Sequence, residues 1–401
     1  MGIDHIDSAD RVSFQLFALD EQWTRRQWIA LGGLAVASAC GRKKGSGYAG
    51  YALIATSGDE TVAVVDLRAF QLLDPIAVGA PPSAVITNDA RTHGYVLTPG
   101  NGSVHVVDAN LEVVRSRKLA DEISEIRLTS DGRRVIAVSR VAHELMEADA
   151  TTLRVLRRHK LSGEPFSLDL SVADAAGPYA AVSTGDGGTV ELFELRTGAR
   201  RNMQMPGRIG AVRFRADGQR LLVADLENRG LTALTAPGLE RIADLPLAMQ
   251  PENLCFNSDA GQLFVSGEGM DGVAIVFPYN PLVVEQTVLA GRDPGVMACS
   301  QQPAFLFVGS NSGSDVCILN IDTRKVIGLV DVGQRPTYIT TTPDSQYVLV
   351  LDDQAGTLAV IRIPAIRVDP AIVRSKSGAS LFTMLQVGDR PVHAAVVSWN
   401  V

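Results

Sequence analysis

The sequence lacks the motifs that mark many enzymes and cofactor-binding proteins. Its 401 residues contain no Gly-x-Ser-x-Gly motif, no phosphate-binding loop and no Cys-x-x-Cys-His haem attachment motif. Sequence evidence for a serine hydrolase, a P-loop protein or a covalent cytochrome is therefore missing. The net charge of −7 argues against a general nucleic-acid-binding protein, because such a protein needs basic surface to neutralise phosphates.

Long hydrophobic runs and low-complexity tracts are also absent. The apolar runs are too short to be good helices, and 37 glycines and 19 prolines separate them. Short runs rich in Val, Ile, Thr and Phe and bounded by Gly, Pro, Asn or Asp are β-strand signals. Residues 305–346 contain four of them in succession: FLFVGS, VCILNID, VIGLVDVG and PTYITTT. Such a four-stranded sheet cannot bury both of its faces alone, so it must stack on copies of itself.

The copies recur through the chain at a nearly constant interval. The fourth run of the unit begins at Pro82, Ser124, Pro165, Ile209, Pro251, Pro294, Pro336 and Pro391. Successive starts are 42, 41, 44, 42, 43, 42 and 55 residues apart, and the long last step contains an insertion around residues 364–380. A period in the forties with four strands per unit predicts an all-β fold, a β-propeller of four-stranded antiparallel blades.

The two ends of the repeat region predict how the ring closes. The first unit, residues 51–80, has three strand-like runs, and its missing fourth run is PVHAAVVSW at residues 391–399. Pairing the C-terminal strand with the first unit would leave no open sheet edge at the ends. Counting this composite unit, the chain has eight blades.

The units resemble the bacterial YVTN-type propeller repeat. The resemblance rests on Val-rich strands that close on Asp and on a VG-x-x-P corner. The strands are TVAVVD (61–66), SVHVVD (103–108) and DVCILNID (315–322), and the corners are VGAPP (78–82), VGQRP (332–336) and VGDRP (387–391). The resemblance covers about residues 51–401. It implies that the chain belongs to a superfamily of surface-layer, lactonase-like and cytochrome d1-like propellers. Seven blades are commoner for this repeat, so seven is the alternative count.

The N-terminal residues predict an export signal. Arg25 and Arg26 precede the short apolar stretch ALGGLAVASA, as in secretory signals. The paired arginines resemble a twin-arginine signal, with the Sec route as the alternative. We therefore assign residues 1–39 to the signal and residues 51–401 to one propeller domain.

The end of that stretch resembles a bacterial lipoprotein box. Ala37-Ser38-Ala39-Cys40 implies cleavage before Cys40 and acylation of the cysteine, with residues 40–50 as a lipidated tether. The alternative is that Cys40 is a small residue near an ordinary cleavage site. The lipid anchor would hold the protein at the periplasmic or cell-surface face of a bacterial membrane.

Candidate chemistry is sparse elsewhere. The segment His143–Glu147 lacks the second histidine of a metalloprotease motif and reads as a strand and turn. His393 lies on an innermost strand, but a lone histidine there is more often packed or solvated than a ligand. Cys255, Cys299 and Cys317 fall in strands, and repeat alignment sets Cys299 one residue out of register with Cys255. We predict free, buried thiols, and no catalytic, metal-binding or cofactor-binding residue.

Arginines in the loops that enter the innermost strands form a candidate anion-binding rim. They are Arg292 at blade 7, Arg335 at blade 8, Arg390 at blade 1 and Arg208 at blade 5. Acidic residues stand at the opposite entries: Asp121, Glu122 and Glu164. Arginine forks favour carboxylate or phosphate ligands, and a charged concave mouth focuses the field. The alternative is that Asp293 and Asp389 neutralise the arginines of their own loops.

The sequence thus predicts an exported, membrane-tethered propeller that serves as a non-catalytic binding or interaction scaffold. Its partner is an unknown protein or small molecule at the channel face. Two alternatives stay open, because a fold does not fix a function. The first is a lactonase-like or quinoprotein-dehydrogenase-like enzyme, and the second is a haem d1-type cofactor-binding or assembly propeller.

The lipid anchor gives a first testable prediction. Protein expressed in a bacterium and extracted from its membranes should begin at Cys40 and carry acyl chains, as read by intact mass. Cys40→Ser should lose the lipid mass and move to the soluble fraction, because durable anchoring needs the acyl chains. Cys317→Ser is the matched control. An unmodified N-terminus away from Cys40 would refute the anchor.

Overall fold

A computed structural model describes residues 47–172, 178–367 and 381–398. The export signal, Cys40 and most of the insertion around residues 364–380 lie outside the described residues. Helical structure in the described part is confined to three short 3-10 turns, Pro99–Asn101, Gly185–Gly187 and Ile363–Ala365. No described helix is long and apolar enough to cross a bilayer.

The described strands form eight antiparallel sheets, which confirms the eight-bladed propeller. Each blade has an innermost, a second, a third and an outermost strand. The innermost strands of blades 1 to 8 are Pro391–Ser398, Ala84–Thr87, Glu125–Leu128, Ser167–Leu170, Ile209–Phe214, Gln250–Phe256, Pro294–Cys299 and Pro336–Thr341. The second strands are Gly50–Thr56, Gly94–Thr98, Arg134–Ser139, Tyr179–Ser183, Arg220–Asp225, Leu263–Glu268, Phe305–Ser310 and Tyr347–Asp352.

The third and outermost strands complete the blades in the same order. The third strands are Thr61–Asp66, Ser103–Val107, Glu144–Asp149, Thr189–Glu194, Gly230–Thr235, Gly272–Phe277, Asp315–Asn320 and Thr357–Arg362. The outermost strands are Gln71–Leu72 with Ile76–Ala77, Val113–Lys118, Val155–Lys160, Arg200–Gln204, Arg241–Pro246, Val283–Leu289, Lys325–Asp331 and Leu381–Gln386. In blade 1 the outermost strand is split around Pro75, which has no N–H to donate to the ladder.

Burial along the strands follows from the radial arrangement of the sheets. Second and third strands are buried on both faces, as in Tyr347–Asp352, because a neighbouring blade covers each face. Outermost strands alternate between exposed and half-buried residues, as in Leu381–Gln386. Consecutive innermost strands contact one another around the full circle and therefore enclose a central channel.

A separate hydrophobic cluster fills each of the eight blade interfaces in the described part. Phe305 and Phe307 of blade 7 pack against Val350 of blade 8, for example. Full burial of one such side chain stabilises the fold by roughly 1.5–3 kcal/mol.

Because side chains alternate along a strand and each blade lies between two others, successive side chains on an innermost strand face different neighbouring blades. Ala298 packs toward blade 8, and the adjacent Cys299 packs toward blade 6.

The C-terminal strand closes the ring, as the sequence predicts. It pairs antiparallel with the first strand of the propeller, with Leu53 opposite Ala395 and Tyr51 opposite Val397. Its side chains also enter both neighbouring interfaces. Val396 lies in the cluster between blades 8 and 1, and Val397 in the cluster between blades 1 and 2.

Ring closure gives the second prediction. Deleting residues 391–401 should lower the melting temperature by more than about 10 °C, or prevent folding, because an unpaired edge and two incomplete interfaces remain. Differential scanning calorimetry measures the effect. Deleting only residues 399–401 is the control, since it leaves the closing strand whole. A melting temperature equal to that of the full chain in the larger deletion would contradict the closure.

Candidate functional site

Polar side chains from the innermost strands converge on the channel. We call them the channel cluster: Glu125, Arg127, Asp169, Arg213, Cys255, Cys299, Tyr338 and His393. Four members occupy the same position of the repeat in blades 3, 4, 5 and 6: Arg127, Asp169, Arg213 and Cys255. On the second strands they pair with Ile136, Ala181, Leu222 and Phe264, respectively. At this position blades 1, 2 and 7 carry the apolar residues Ala395, Ile86 and Ala298, and blade 8 carries Thr340. Charged side chains at this position are therefore confined to blades 3, 4 and 5.

The two carboxylates of the cluster link neighbouring blades. Glu125 of blade 3 accepts a hydrogen bond from the backbone N–H of Leu168 in blade 4, at 3.2 Å. Asp169 of blade 4 accepts one from the N–H of Phe214 in blade 5, at 2.7 Å. Each carboxylate thus satisfies a backbone donor at the channel edge of the next blade, where no strand follows.

The charges of both arginines of the cluster act on side chains of other innermost strands. Arg127 forms an ion pair with Glu125 at 2.5 Å, and its charge also acts on Asp169, Tyr338 and His393. These residues belong to blades 4, 8 and 1, so the charge of Arg127 acts across the channel. The charge of Arg213 acts on Glu125, Asp169 and Cys255.

The carboxylates are less acidic than in water. Burial raises the pKa of Glu125, although the charges of Arg127 and Arg213 oppose that rise. Burial likewise raises the pKa of Asp169 against the charge of Arg213 and the hydrogen bond from Phe214. Both groups therefore take up a proton at higher pH than an ordinary carboxyl. Protonation would leave the two guanidinium charges uncompensated.

Tyr338 and His393 form an aromatic wall of the channel. Their ring centroids are 4.3 Å apart, and the Tyr338 hydroxyl donates to the carbonyl of Ala394 at 3.1 Å. Burial raises the pKa of Tyr338 to about 12 and lowers that of His393 to about 4, where the charge of Arg127 adds to the effect. Both rings are therefore neutral near pH 7. The buried Nδ1 of His393 has no hydrogen-bond partner among the described residues.

The predicted rim arginines differ in their surroundings. Arg335 forms an ion pair with Asp353 at 2.9 Å, whereas Arg208, Arg292 and Arg390 are exposed. For those three, no ion pair to another described residue is observed within 4.0 Å. The rim as an anion site stays a prediction.

Blade 3 contains a buried ionic cluster around Glu147 that sequence analysis missed. Glu147, which is 1 % exposed, pairs with Arg134 at 2.7 Å, Arg157 at 3.2 Å and His159 at 2.9 Å. A lone carboxylate at this depth would be costly, and three cationic or polar partners compensate it. The unit therefore forms a complete blade although it lacks a valine where the preceding unit has Val106.

Comparison with known proteins supports the fold and leaves the activity open. No protein-family model matches the chain, and no curated protein sequence matches it. Many solved structures share the fold. One is the dihydro-heme d1 dehydrogenase NirN in complex with DHE, with a TM-score of 0.71, 14 % identity and coverage of 86 % of this chain and 75 % of that one.

Two further structures are similar. A protein of unknown function from Desulfotomaculum acetoxidans has a TM-score of 0.58, 10 % identity and coverage of 88 % of this chain and 100 % of that one. The hydrazine synthase of Kuenenia stuttgartiensis has a TM-score of 0.52, 12 % identity and coverage of 67 % and 87 %. At these identities the likeness establishes the β-propeller class alone, and the YVTN-type resemblance stays a prediction.

Proposed function

We propose that the protein is a binding scaffold that takes a small carboxylate-bearing ligand into its central channel, and that it does not transform this ligand. The observation that carries the proposal is that Arg127 and Arg213 stand on innermost strands, where Arg127 pairs with Glu125 and both charges act on Glu125 and Asp169. Guanidinium forks bind carboxylates through paired, charge-assisted hydrogen bonds. Desolvation strengthens such bonds relative to those at a protein surface.

The electrostatics of the channel also suit an anion. Glu125 and Asp169 offset the arginines, so the unliganded channel avoids two unpaired, half-buried cations. An entering carboxylate would compete for the guanidinium groups, and protonation of Asp169 or Glu125 would remove that competition. Tyr338 and His393 offer a neutral, flat surface to the apolar part of a ligand.

The surroundings of the channel extend the proposal. Arg208, Arg292 and Arg390 at the strand entries would steer anions toward the mouth by their long-range field. The predicted anchor at Cys40 would hold the propeller at the periplasmic or cell-surface face of a bacterial membrane. Neither the lactonase-like nor the dehydrogenase-like alternative has an observation among the described residues in its favour.

A haem d1-type ligand is the second candidate, and His393 is the observation that favours it. A buried imidazole nitrogen without a partner is the type of atom that ligates haem iron, and neutral imidazole is the ligating form. Arg127, whose charge acts on His393, is the candidate partner of a carboxylate side group of the same molecule. The similarity to NirN, whose structure contains DHE, agrees with this candidate.

The channel proposal gives the third prediction. Isophthalate, a planar dicarboxylate, should bind the full chain in isothermal titration calorimetry, and Arg127→Gln with Arg213→Gln should weaken it about tenfold or more. Glu125→Gln is the matched control and should bind as tightly or more tightly, because it removes a competing anion.

The pH dependence of sulfate binding is a further test of the channel. Sulfate stays charged, and it should bind more tightly at about pH 5.5 than at about pH 8. The reason is that Asp169 and Glu125, whose pKa values are raised, are protonated more fully at the lower pH and then compete less for the arginines.

A rim variant separates this proposal from a surface site. Replacing Arg292, Arg335 and Arg390 by Ala should slow association at low salt and change the affinity little. Loss of isophthalate binding in the rim variant, with full binding in the channel variant, would overturn the channel site. Unchanged melting temperatures would show that both variants are folded.

The second candidate gives the fourth prediction. Haemin titrated into the full chain should give a shifted Soret band, and His393→Ala should alter that band because the axial ligand is gone. His143→Ala, which changes an exposed histidine in a hairpin turn, is the control. Identical spectra for wild type and His393→Ala, or no binding by wild type, would reject an iron tetrapyrrole at this residue.

A further inference from the structure

Two cysteines from neighbouring blades meet at the channel. The Sγ atoms of Cys255 in blade 6 and Cys299 in blade 7 are 3.8 Å apart, although 44 positions separate them in the chain. Repeat alignment correctly sets Cys299 on the opposite face of its strand from the position of Cys255. The offset brings the two thiols together. Cys255 projects from the face of blade 6 that meets blade 7, and Cys299 projects from the face of blade 7 that meets blade 6.

The two thiols differ from the third cysteine in access and acidity. Cys255 and Cys299 are partly accessible, whereas Cys317 is buried. Hydrogen bonding with Cys299 lowers the pKa of Cys255, and the charge of Arg213 adds to that effect. The same contact raises the pKa of Cys299, and burial raises that of Cys317 to about 12. Cys255 is therefore the thiol that reacts first, since the thiolate is the nucleophile.

We propose that Cys255 and Cys299 are a redox-active pair that closes to a disulfide across the interface between blades 6 and 7. The sulfurs need to approach by a little under 2 Å to reach the bond length of about 2.05 Å. This inference is independent of the ligand proposed for the channel. It replaces the prediction that these two thiols are free and buried.

The oxidation is a thiol–disulfide exchange with an external disulfide. The Cys255 thiolate attacks one sulfur of the donor RSSR, forms a mixed disulfide and releases one RS⁻. The Cys299 thiolate then attacks Sγ of Cys255 and releases the second RS⁻, so that two protein thiols and RSSR give one cystine and two RSH. The oxidant class is a small-molecule disulfide or a protein disulfide oxidoreductase.

A disulfide suits this pair better than a metal ion does. Among the described residues, no group of three or more His, Cys, Asp or Glu side chains is arranged to hold a metal. A metal at the pair would therefore have two protein ligands, fewer than the structural zinc sites of proteins use. The crosslink would instead join the innermost strands of two blades and fix that part of the channel wall.

Peptide mapping tests the proposal. The full chain is equilibrated with oxidised glutathione, alkylated and digested with trypsin and Asp-N. Trypsin alone leaves Cys299 and Cys317 in residues 293–324, and cleavage before Asp315 separates them. We expect a peptide pair joined through Cys255 and Cys299, a loss of two hydrogens in mass, and a melting temperature higher by about 5 °C. Dithiothreitol should reverse all three changes.

Variants distinguish this pair from nonspecific oxidation. Cys255→Ser and Cys299→Ser should lose the crosslinked peptide and the gain in melting temperature, while Cys317→Ser should keep both. Wild-type protein in which both thiols stay open to alkylation, or each carries its own glutathione, would overturn the proposal. So would a crosslink that includes Cys317. The wild-type map decides the matter even where a variant fails to fold.

Discussion

The packing of each blade against the opposite face of its neighbour is the constraint on which the rest of the structure depends. No four-stranded blade can bury both faces alone, so stability comes from the eight interfaces and the ring must close. The closing strand stabilises two interfaces at once, because Val396 packs between blades 8 and 1 and Val397 packs between blades 1 and 2. The same geometry directs neighbouring side chains of one innermost strand to different blades.

This geometry also explains how charged groups are tolerated near the axis. The innermost strand has no further strand beside it, so its backbone donors need other partners. Glu125 and Asp169 accept hydrogen bonds from the next blade, and the two arginines of the channel cluster compensate these half-buried carboxylates. A polar site at the centre is thus part of what holds blades 3, 4 and 5 together. The groups proposed to bind the ligand are therefore also groups that hold neighbouring blades together.

The repeat predicts the fold well because its period is set by local signals. Glycine and proline corners, valine-rich strands and the orphan strand at Pro391 are visible without any knowledge of contacts. The charged part of the channel cluster was missed because its members are ordinary polar residues that lie far apart in the chain. Arg127, Asp169 and Arg213 stand out against Ile86 and Ala298 only after the units are aligned. The contact of Cys255 with Cys299 depends on which faces meet, which a single unit cannot show.

The central claim is that the channel, and not the outer surface, binds carboxylates. Anomalous diffraction from a crystal soaked in 5-iodoisophthalate tests it most directly, because iodine marks the position of the ligand. The account predicts an iodine peak in the channel with ligand carboxylates in hydrogen-bond contact with Arg127 and Arg213. Iodine peaks confined to the rim or to the outer strands would contradict it.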